Sequence, residues 1–262
     1  MSYETIEAKT DSGVARIAFN RPEKLNPLSA ALLKETRAAF EVAASDAAVR
    51  AIVLTGHGRA FSAGADLREA GLTADLGAAL IERYNPLVTA IRTSPKPVLA
   101  AINGICAGAA CNIALACDIV VATRSAMFIE VFARIGLMPD AGGTWFLPRA
   151  VGTPRAIGAS MLAEDIPAER AAAWGLIWEC VDDESFSARV DALAERLATG
   201  PTRAYAAIKR AIYAAEGAAE GPGLAAQLAL EAELQWELGH STDLREGIAS
   251  FMEKRKAAFT GQ

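Results

Sequence analysis

Two segments of the chain share one plan: an apolar run, then very small residues, then a helical pattern. In the first, "VRAIVLTG" (49–56) leads into "RAFSAGADLREAG" (59–71). In the second, "KPVLAAINGICAGAACNIALACD" (96–118) repeats that order about fifty residues later. Each apolar run reads as a buried strand, and the small residues let it turn sharply into a helix, near Gly108 in the second case. The likeness is architectural and falls short of a sequence repeat. It still restricts the chain to a mixed α/β core, in which several strand ends are joined to helices by glycine and alanine.

The flanking segments fit that core. "VARIAFN" (14–20) alternates with period two and stops at Arg21-Pro22, as a half-buried strand does. "SAALLKETRAAFEVAA" (29–44) has helical spacing, with Ser29 placed as its N-cap. "IVVATRSAMFI" (119–129) returns as extended structure. From about Pro167 the character changes to helices interrupted by the short apolar strand "GLIWECV", and residues 201–262 read as long Ala/Leu/Glu helices separated by Gly221-Pro222-Gly223.

Composition removes whole classes of function. Only two histidines, His57 and His240, are present, so a His-rich metal centre is excluded, and no G-x-S-x-G elbow accompanies either one. Cys106, Cys111, Cys117 and Cys180 lack the paired spacing of a zinc site, and the first three sit in an apolar stretch as small core residues. A net charge of −5 with interspersed signs argues against a nucleic-acid surface, yet leaves room for a small anionic ligand. No apolar run reaches the roughly 18 residues of a membrane span, and "MSYETIEAKT" is too polar for a signal peptide. A cytoplasmic location is expected. "GHGRAF" (56–61) begins like a dinucleotide-binding loop but lacks the third glycine.

The small-residue turns suggest chemistry. The first turn of a helix has N–H groups without intrahelical partners, at the positive end of the helix dipole. Two such turns facing each other would hold one carbonyl oxygen between two donors, an oxyanion hole. "SAGADL" (62–67) and "CAGAACN" (106–112) are the candidates, although either alone is ordinary helix–strand packing. "GLMPDAGGT" (136–144) adds an acid, Asp140, between a proline and small residues; as a bare pattern it is also plain turn chemistry.

Taken in order, "NRPEKLNPLS", "GRAFSAGADLRE", "NGICAGAACNIALACDIVVA", "GLMPDAGGTWFLPRAVG" and the C-terminal "FMEKRKAAFTG" resemble the enoyl-CoA hydratase/isomerase (crotonase) superfamily across essentially the whole chain. The resemblance implies a spiral of ββα units over residues 1–196 and a helical oligomerisation region over 197–262. It further implies a homotrimer or a homohexamer built as a dimer of trimers. The substrate it implies is an acyl-CoA thioester, with no cofactor beyond the CoA of the substrate itself, no metal, and neither nucleic acid nor membrane as partner. Its oxyanion donors map to the backbone of Ala65 and Ala109; alanine stands at 109 where the family usually has glycine. The CoA positions map to Lys24, to the backbone of Ala63, Asp66 and Leu67, and to Phe251 and Lys254, which in this family often reach a neighbouring subunit's ligand. That gives the "EKRK" run (253–256) a use beyond a solvated helix face.

The sequence departs from a hydratase of this superfamily. The two glutamates that hold the reacting water fall at Asn112 and Phe132, while Glu130 lies two residues from the second position and would enter only with a local shift. Asp140 remains, at a position that in non-hydratase branches faces the acyl group as nucleophile or as acid/base. "FARIGLMPDAGGTWFLPRAVG" and "AAAWGLIWECVDDE" resemble the phenylacetate-degradation branch, whose isomerase acts on 2-(1,2-epoxy-1,2-dihydrophenyl)acetyl-CoA. The expectation is an acyl-CoA isomerase with Asp140 as acid/base, in an apolar setting made by Leu137, Met138, Trp145 and Phe146. Two alternatives stay open at this stage: an enoyl-CoA hydratase, and a non-catalytic CoA-thioester binder.

Overall fold

The computed structural model describes residues 3–69, 75–216 and 223–262. Its elements begin with β1 (Ile6–Asp11), β2 (Val14–Phe19), α1 (Ala30–Ser45), β3 (Ala51–Gly56) and β4 (Ala60–Ser62). Next come α2 (Leu76–Ala79), a π-helical turn over Leu80–Tyr84, α3 (Asn85–Thr93), β5 (Val98–Ile102), β6 (Ile105–Ala107) and α4 (Ala109–Ala116). β7 (Ile119–Thr123), β8 (Met127–Ile129), α5 (Gly143–Val151), α6 (Thr153–Leu162), β9 (Ile166–Pro167), α7 (Ala168–Trp174) and β10 (Glu179–Val181) follow. Four helices finish the chain: α8 (Phe186–Ala198), α9 (Thr202–Glu216), α10 (Gly223–Gly239) and α11 (Thr242–Glu253).

The strands divide between two sheets. The larger has the order β1-β2-β3-β5-β7-β10 and is parallel from β2 onward; the smaller has the order β4-β6-β8-β9. Three times the chain leaves a strand of the large sheet, turns a corner of two or three residues and enters the small one: β3 to β4, β5 to β6, β7 to β8. Each pair then feeds helical structure, which is the spiral of ββα units that the sequence implies. The corners are tight because the backbones touch. A side chain at Gly104 would place its Cβ 2.1 Å from the Arg59 carbonyl oxygen, so only glycine fits there.

Both faces of the large sheet are buried, which explains why β3 and β5 read as continuous apolar runs. Ala51, Val53, Leu99 and Ala101 face α8, where Val190, Leu193 and Ala194 cover them. Ile52, Leu54, Val98, Ala100 and Ile102 face the main core with α1 and α4. Ser29 caps α1 as expected, its Oγ accepting from the Leu32 N–H at 3.3 Å. Phe61, fully buried, stacks at a tilt on Phe19 with ring centroids 5.0 Å apart. Phe61→Ala is expected to lower the unfolding free energy by about 3–5 kcal/mol, read from the urea midpoint.

Three readings of local structure need correction. Ala63–Glu69 forms a bridge and turns instead of entering a helix, because Leu28 pairs with this segment as an extended strand; residues 70 and 71 lie outside the described residues. "IVVATRSAMFI" is two strands in different sheets, separated by a turn in which the Ala126 N–H donates to the Thr123 carbonyl at 2.9 Å. "GLIWECV" contributes only Glu179–Val181 as strand, its first residues being spent on the turn after α7. Gly221 and Pro222 lie outside the described residues. No helix among the described residues is long and apolar enough to cross a membrane.

Candidate active site

The two small-residue turns face each other. β4 and β6 are parallel neighbours, with Ser62 paired to Cys106, and each runs into its turn at the same offset. Gly64, at φ +89°, packs so closely on the other turn that a Cβ there would sit 2.8 Å from the Ala107 carbonyl oxygen and 3.7 Å from Gly108 Cα. Gly108, at φ +55°, precedes α4 and commits its own N–H to the Ile129 carbonyl at 2.8 Å. Ala109 therefore opens the helix, and its N–H is one of the first-turn donors that have no intrahelical acceptor.

On the other turn, the Leu28 N–H donates to the Gly64 carbonyl at 2.8 Å and the Asp66 N–H donates to the Leu28 carbonyl at 3.3 Å. These bonds pair Leu28 with Ala65 in a parallel bridge, so the N–H of Ala65 itself is directed away from Leu28. Alanine replaces the usual glycine at 109 without difficulty, because the residue is helical and does not need a positive φ.

Ala65, Ala109 and Asp140 line one cavity of about 280 Å³. Its walls are apolar: Leu76, Leu80 and Tyr84 come from the α2–α3 helical run, and Val131 and Phe132 from the 3-10 turn after β8. Asp140 stands in this wall with its Oδ1 buried and, among the described residues, without a hydrogen-bond partner. Burial pushes its carboxyl up to about 6, against a smaller opposing contribution from its own backbone N–H.

The setting of Asp140 differs in part from the expected one. Leu137 and Met138 line the cavity, whereas Trp145 and Phe146 do not. α5 starts at Gly143 and carries both rings away, Phe146 into the core and Trp145 to the surface beneath Arg149. Tyr84, Leu80 and Val131 take their place. Nothing local in the sequence marks these three, since apolar residues at helical spacing look like core until the chain is folded.

A polar groove of about 1050 Å³ adjoins the cavity, the two sharing Ala65 and Leu67 as wall. Lys24 and Asp66 line the groove, and Ala63 lines the cavity. Arg21, Arg59 and Arg68 add cations that no sequence motif marks. Arg21 is held by Asp66 at 3.3 Å, while Lys24 and Arg59 have no carboxylate partner among the described residues. Phe251 and Lys254, at the exposed end of α11, line neither space within a single chain.

The two positions where a hydratase would have glutamates are both buried. Phe132 presents an aromatic ring to the cavity. Asn112 lies on α4, one turn beyond Ala109, and its Nδ2 donates to the Asp140 carbonyl oxygen at 2.9 Å. Glu130 is 3% exposed, neighbours the Asn112 side chain, and is not part of the cavity wall. No group of three His, Cys, Asp or Glu among the described residues has the arrangement of a metal site.

Comparison with known proteins agrees with this geometry. The family model described as enoyl-CoA hydratase/isomerase matches residues 9–262. A Rhodobacter capsulatus protein named "Probable enoyl-CoA hydratase" is 52% identical over 263 residues, covering 100% of both chains. The 1,2-epoxyphenylacetyl-CoA isomerase of Escherichia coli (strain K12) is 42% identical over 264 residues, covering 99% of each. The crystal structure of an enoyl-CoA hydratase from Bacillus anthracis superposes with a TM-score of 0.90 at 30% identity, over 99% of this chain and 100% of that one. With its paired turns, its spiral of ββα units and full-length relatives of this kind, the chain belongs to the enoyl-CoA hydratase/isomerase family of enzymes.

Proposed function

We propose that the protein is an acyl-CoA isomerase in which Asp140 moves the proton. One observation carries the reading: among the described residues, the cavity's one unpartnered carboxylate oxygen, on Asp140, shares an apolar chamber with the two backbone turns. A thioester oxygen seated between the N–H groups of Ala65 and Ala109 accepts both, which stabilises negative charge as it develops there. The neighbouring C–H becomes more acidic. With a 3-enoyl-CoA, the proton on the carbon next to the thioester passes to the Asp140 carboxylate and the electron pair spreads as a dienolate onto the thioester oxygen. Asp140 then returns the proton at the far end of the conjugated system, leaving the 2-enoyl-CoA and a regenerated carboxylate.

The finer reading is 2-(1,2-epoxy-1,2-dihydrophenyl)acetyl-CoA as substrate. It is supported by the 42% identity to the Escherichia coli isomerase and by the apolar walls, which suit a ring. The same two donors would stabilise the charge that forms as the epoxide opens. Lys24, with Arg59 nearby, would meet the CoA phosphates in the polar groove, and the backbone of Ala63, Asp66 and Leu67 would border the adenine. Phe251 and Lys254 would reach the CoA of a second subunit in a homotrimer or a dimer of trimers. Trp236, Ile248, Phe251 and Met252 are exposed apolar residues on α10 and α11, which supports 197–262 as the oligomerisation region and 1–196 as the core. The reading needs no cofactor beyond the substrate's own CoA and assumes a cytoplasmic setting.

A hydratase reading is favoured by the name of the 52% relative. Against it stand the ring of Phe132 where a water-holding carboxylate is required and the position of Glu130 behind the wall. Purified protein given a 3-enoyl-CoA and, separately, crotonyl-CoA distinguishes the two. Gain of the conjugated thioester absorbance from the first, with little loss from the second, is the expected result; rapid hydration of crotonyl-CoA would overturn the isomerase.

Asp140 must be ionised to accept a proton. Its carboxyl is pushed up to about 6, so kcat is expected to fall about tenfold per unit as pH drops below that value. An acid limb near 4 would show that the titrating group is an ordinary exposed carboxylate.

A further inference from the structure

Five buried side-chain atoms among the described residues have no hydrogen-bond partner, and three of them belong to one cluster: Asn112 Oδ1, Glu130 Oε2 and Asp140 Oδ1. Protein interiors leave few such atoms, and three together call for a chemical reason. Only Asp140 faces the acyl cavity; Asn112 and Glu130 stand behind it.

The Asn112 amide joins the other two. Its Nδ2 donates to the Asp140 carbonyl at 2.9 Å, which leaves its unpartnered Oδ1 to accept the proton of the neighbouring Glu130 when that acid is neutral. The loop after Asp140 rests directly on this amide, for a Cβ at Gly143 would fall 2.4 Å from Asn112 Nδ2. Glu130 is itself fixed to the oxyanion turn through the residue before it. The Ile129 carbonyl accepts the Gly108 N–H at 2.8 Å and the Cys111 thiol at 3.8 Å.

The charge state follows from the surroundings. The titratable groups facing Glu130 are Asp140, on the loop before α5, and Cys111, on α4; both are acids. Arg134, on the turn that follows Glu130, is directed instead to the Ala163 carbonyl and to Asp165. Tyr84, across the cavity from the π-helical turn, faces Asp140 and is a further acid. Two carboxyl groups in one dry region do not both ionise readily. Burial pushes Glu130 up to about 8, the charge of Asp140 adds a smaller push in the same direction, and the polar amide of Asn112 opposes the shift. At neutral pH Glu130 therefore keeps its proton and Asp140 does not.

We propose that Glu130 is a positioning residue for the reaction assigned above to Asp140: as a neutral acid it holds the Asn112 amide, which in turn holds the Asp140 peptide so that the carboxylate faces the acyl chamber. The inference rests on that assignment. When Glu130 ionises, a second negative charge stands beside a site that must build an enolate, and the barrier rises.

The test compares wild type, Glu130→Gln and Glu130→Ala by kcat and KM on a 3-enoyl-CoA across the pH range. Glutamine imitates the neutral acid, so Glu130→Gln is expected to keep kcat within about threefold, whereas Glu130→Ala loses roughly 10–100-fold in kcat at nearly constant KM. Wild type is expected to lose kcat above about 8, and Glu130→Gln to lack that alkaline limb. An alkaline limb that persists in Glu130→Gln, or equal damage from both substitutions, overturns the proposal. A purely structural role would lower thermal stability and leave the limb in place. Absence of isomerisation by wild type overturns the function proposed for Asp140 instead. Carboxyl ¹³C titration of labelled protein then decides on Glu130 separately: a midpoint near 8 supports the neutral acid, and one at or below the midpoint of Asp140 overturns it.

Discussion

Asp140→Asn is expected to lose about 10³-fold or more in kcat on a 3-enoyl-CoA, with KM changed only a few-fold. Asparagine keeps the volume and the backbone turn, including the carbonyl that Asn112 holds, but it cannot accept a proton. The loss therefore reads proton transfer alone. The acid limb near 6 should vanish in whatever activity remains, because the group that titrates there is gone. The formation of conjugated thioester, followed by absorbance in both proteins, measures it. A variant with wild-type kcat would remove Asp140 from the chemistry and leave a carboxyl buried without a partner and without a role.

The second large effect concerns a donor that has no side chain. Ala109 is the first residue of α4, the one helical position where proline is well tolerated because its missing N–H has no acceptor within the helix. Gly108, just before it, accepts the restriction that proline places on its neighbour better than any other residue would. Ala109→Pro should consequently fold while removing one of the two hydrogen bonds to the thioester oxygen. About 10²–10³-fold is expected to be lost from kcat, the usual cost of one oxyanion donor. Circular dichroism and the melting curve check the fold. If the variant folds and turns over at the wild-type rate, the thioester oxygen is held elsewhere.

The sequence made the donors and the acid legible for different reasons. Gly64 and Gly108 sit at positive φ, the first so close to the Ala107 carbonyl that a side chain collides and the second with the Val131 side chain close by, so the pattern of small residues survives as a direct imprint of the geometry. Ser29 was readable because a cap is a local device. Asp140 stood out only because its neighbours are small and the two hydratase glutamates are missing. Asn112 read merely as a lost glutamate, and Glu130 as a spare one. What they do together depends on β8, α4 and the loop before α5 converging from separate parts of the chain, and no short window contains that. The apolar wall is hard to read from sequence for a similar reason. Trp145 and Phe146 are near Asp140 in sequence, but helix α5 turns them away, while Leu80 and Tyr84, some sixty residues earlier, come in from the opposite side.

Ser62 and Cys106 pair on the parallel strands β4 and β6, and Ala65 and Ala109 each follow three residues later, beyond the strand ends. The two turns thus start from neighbouring strands of one ladder, and backbone pairing, not any side chain, sets where they start. Such a ruler is indifferent to most substitutions around it, which is how alanine can stand at 109. On the proposed mechanism, charge stabilisation and proton handling are thus carried by different parts of the protein, joined through Asn112. The first belongs to the repeat of the fold, and the second to a loop that rests on the helix the repeat supplies. A change in the carboxylate carried before α5 or after β8 would alter which bond reacts, while the oxygen of the thioester stayed where the sheet had put it.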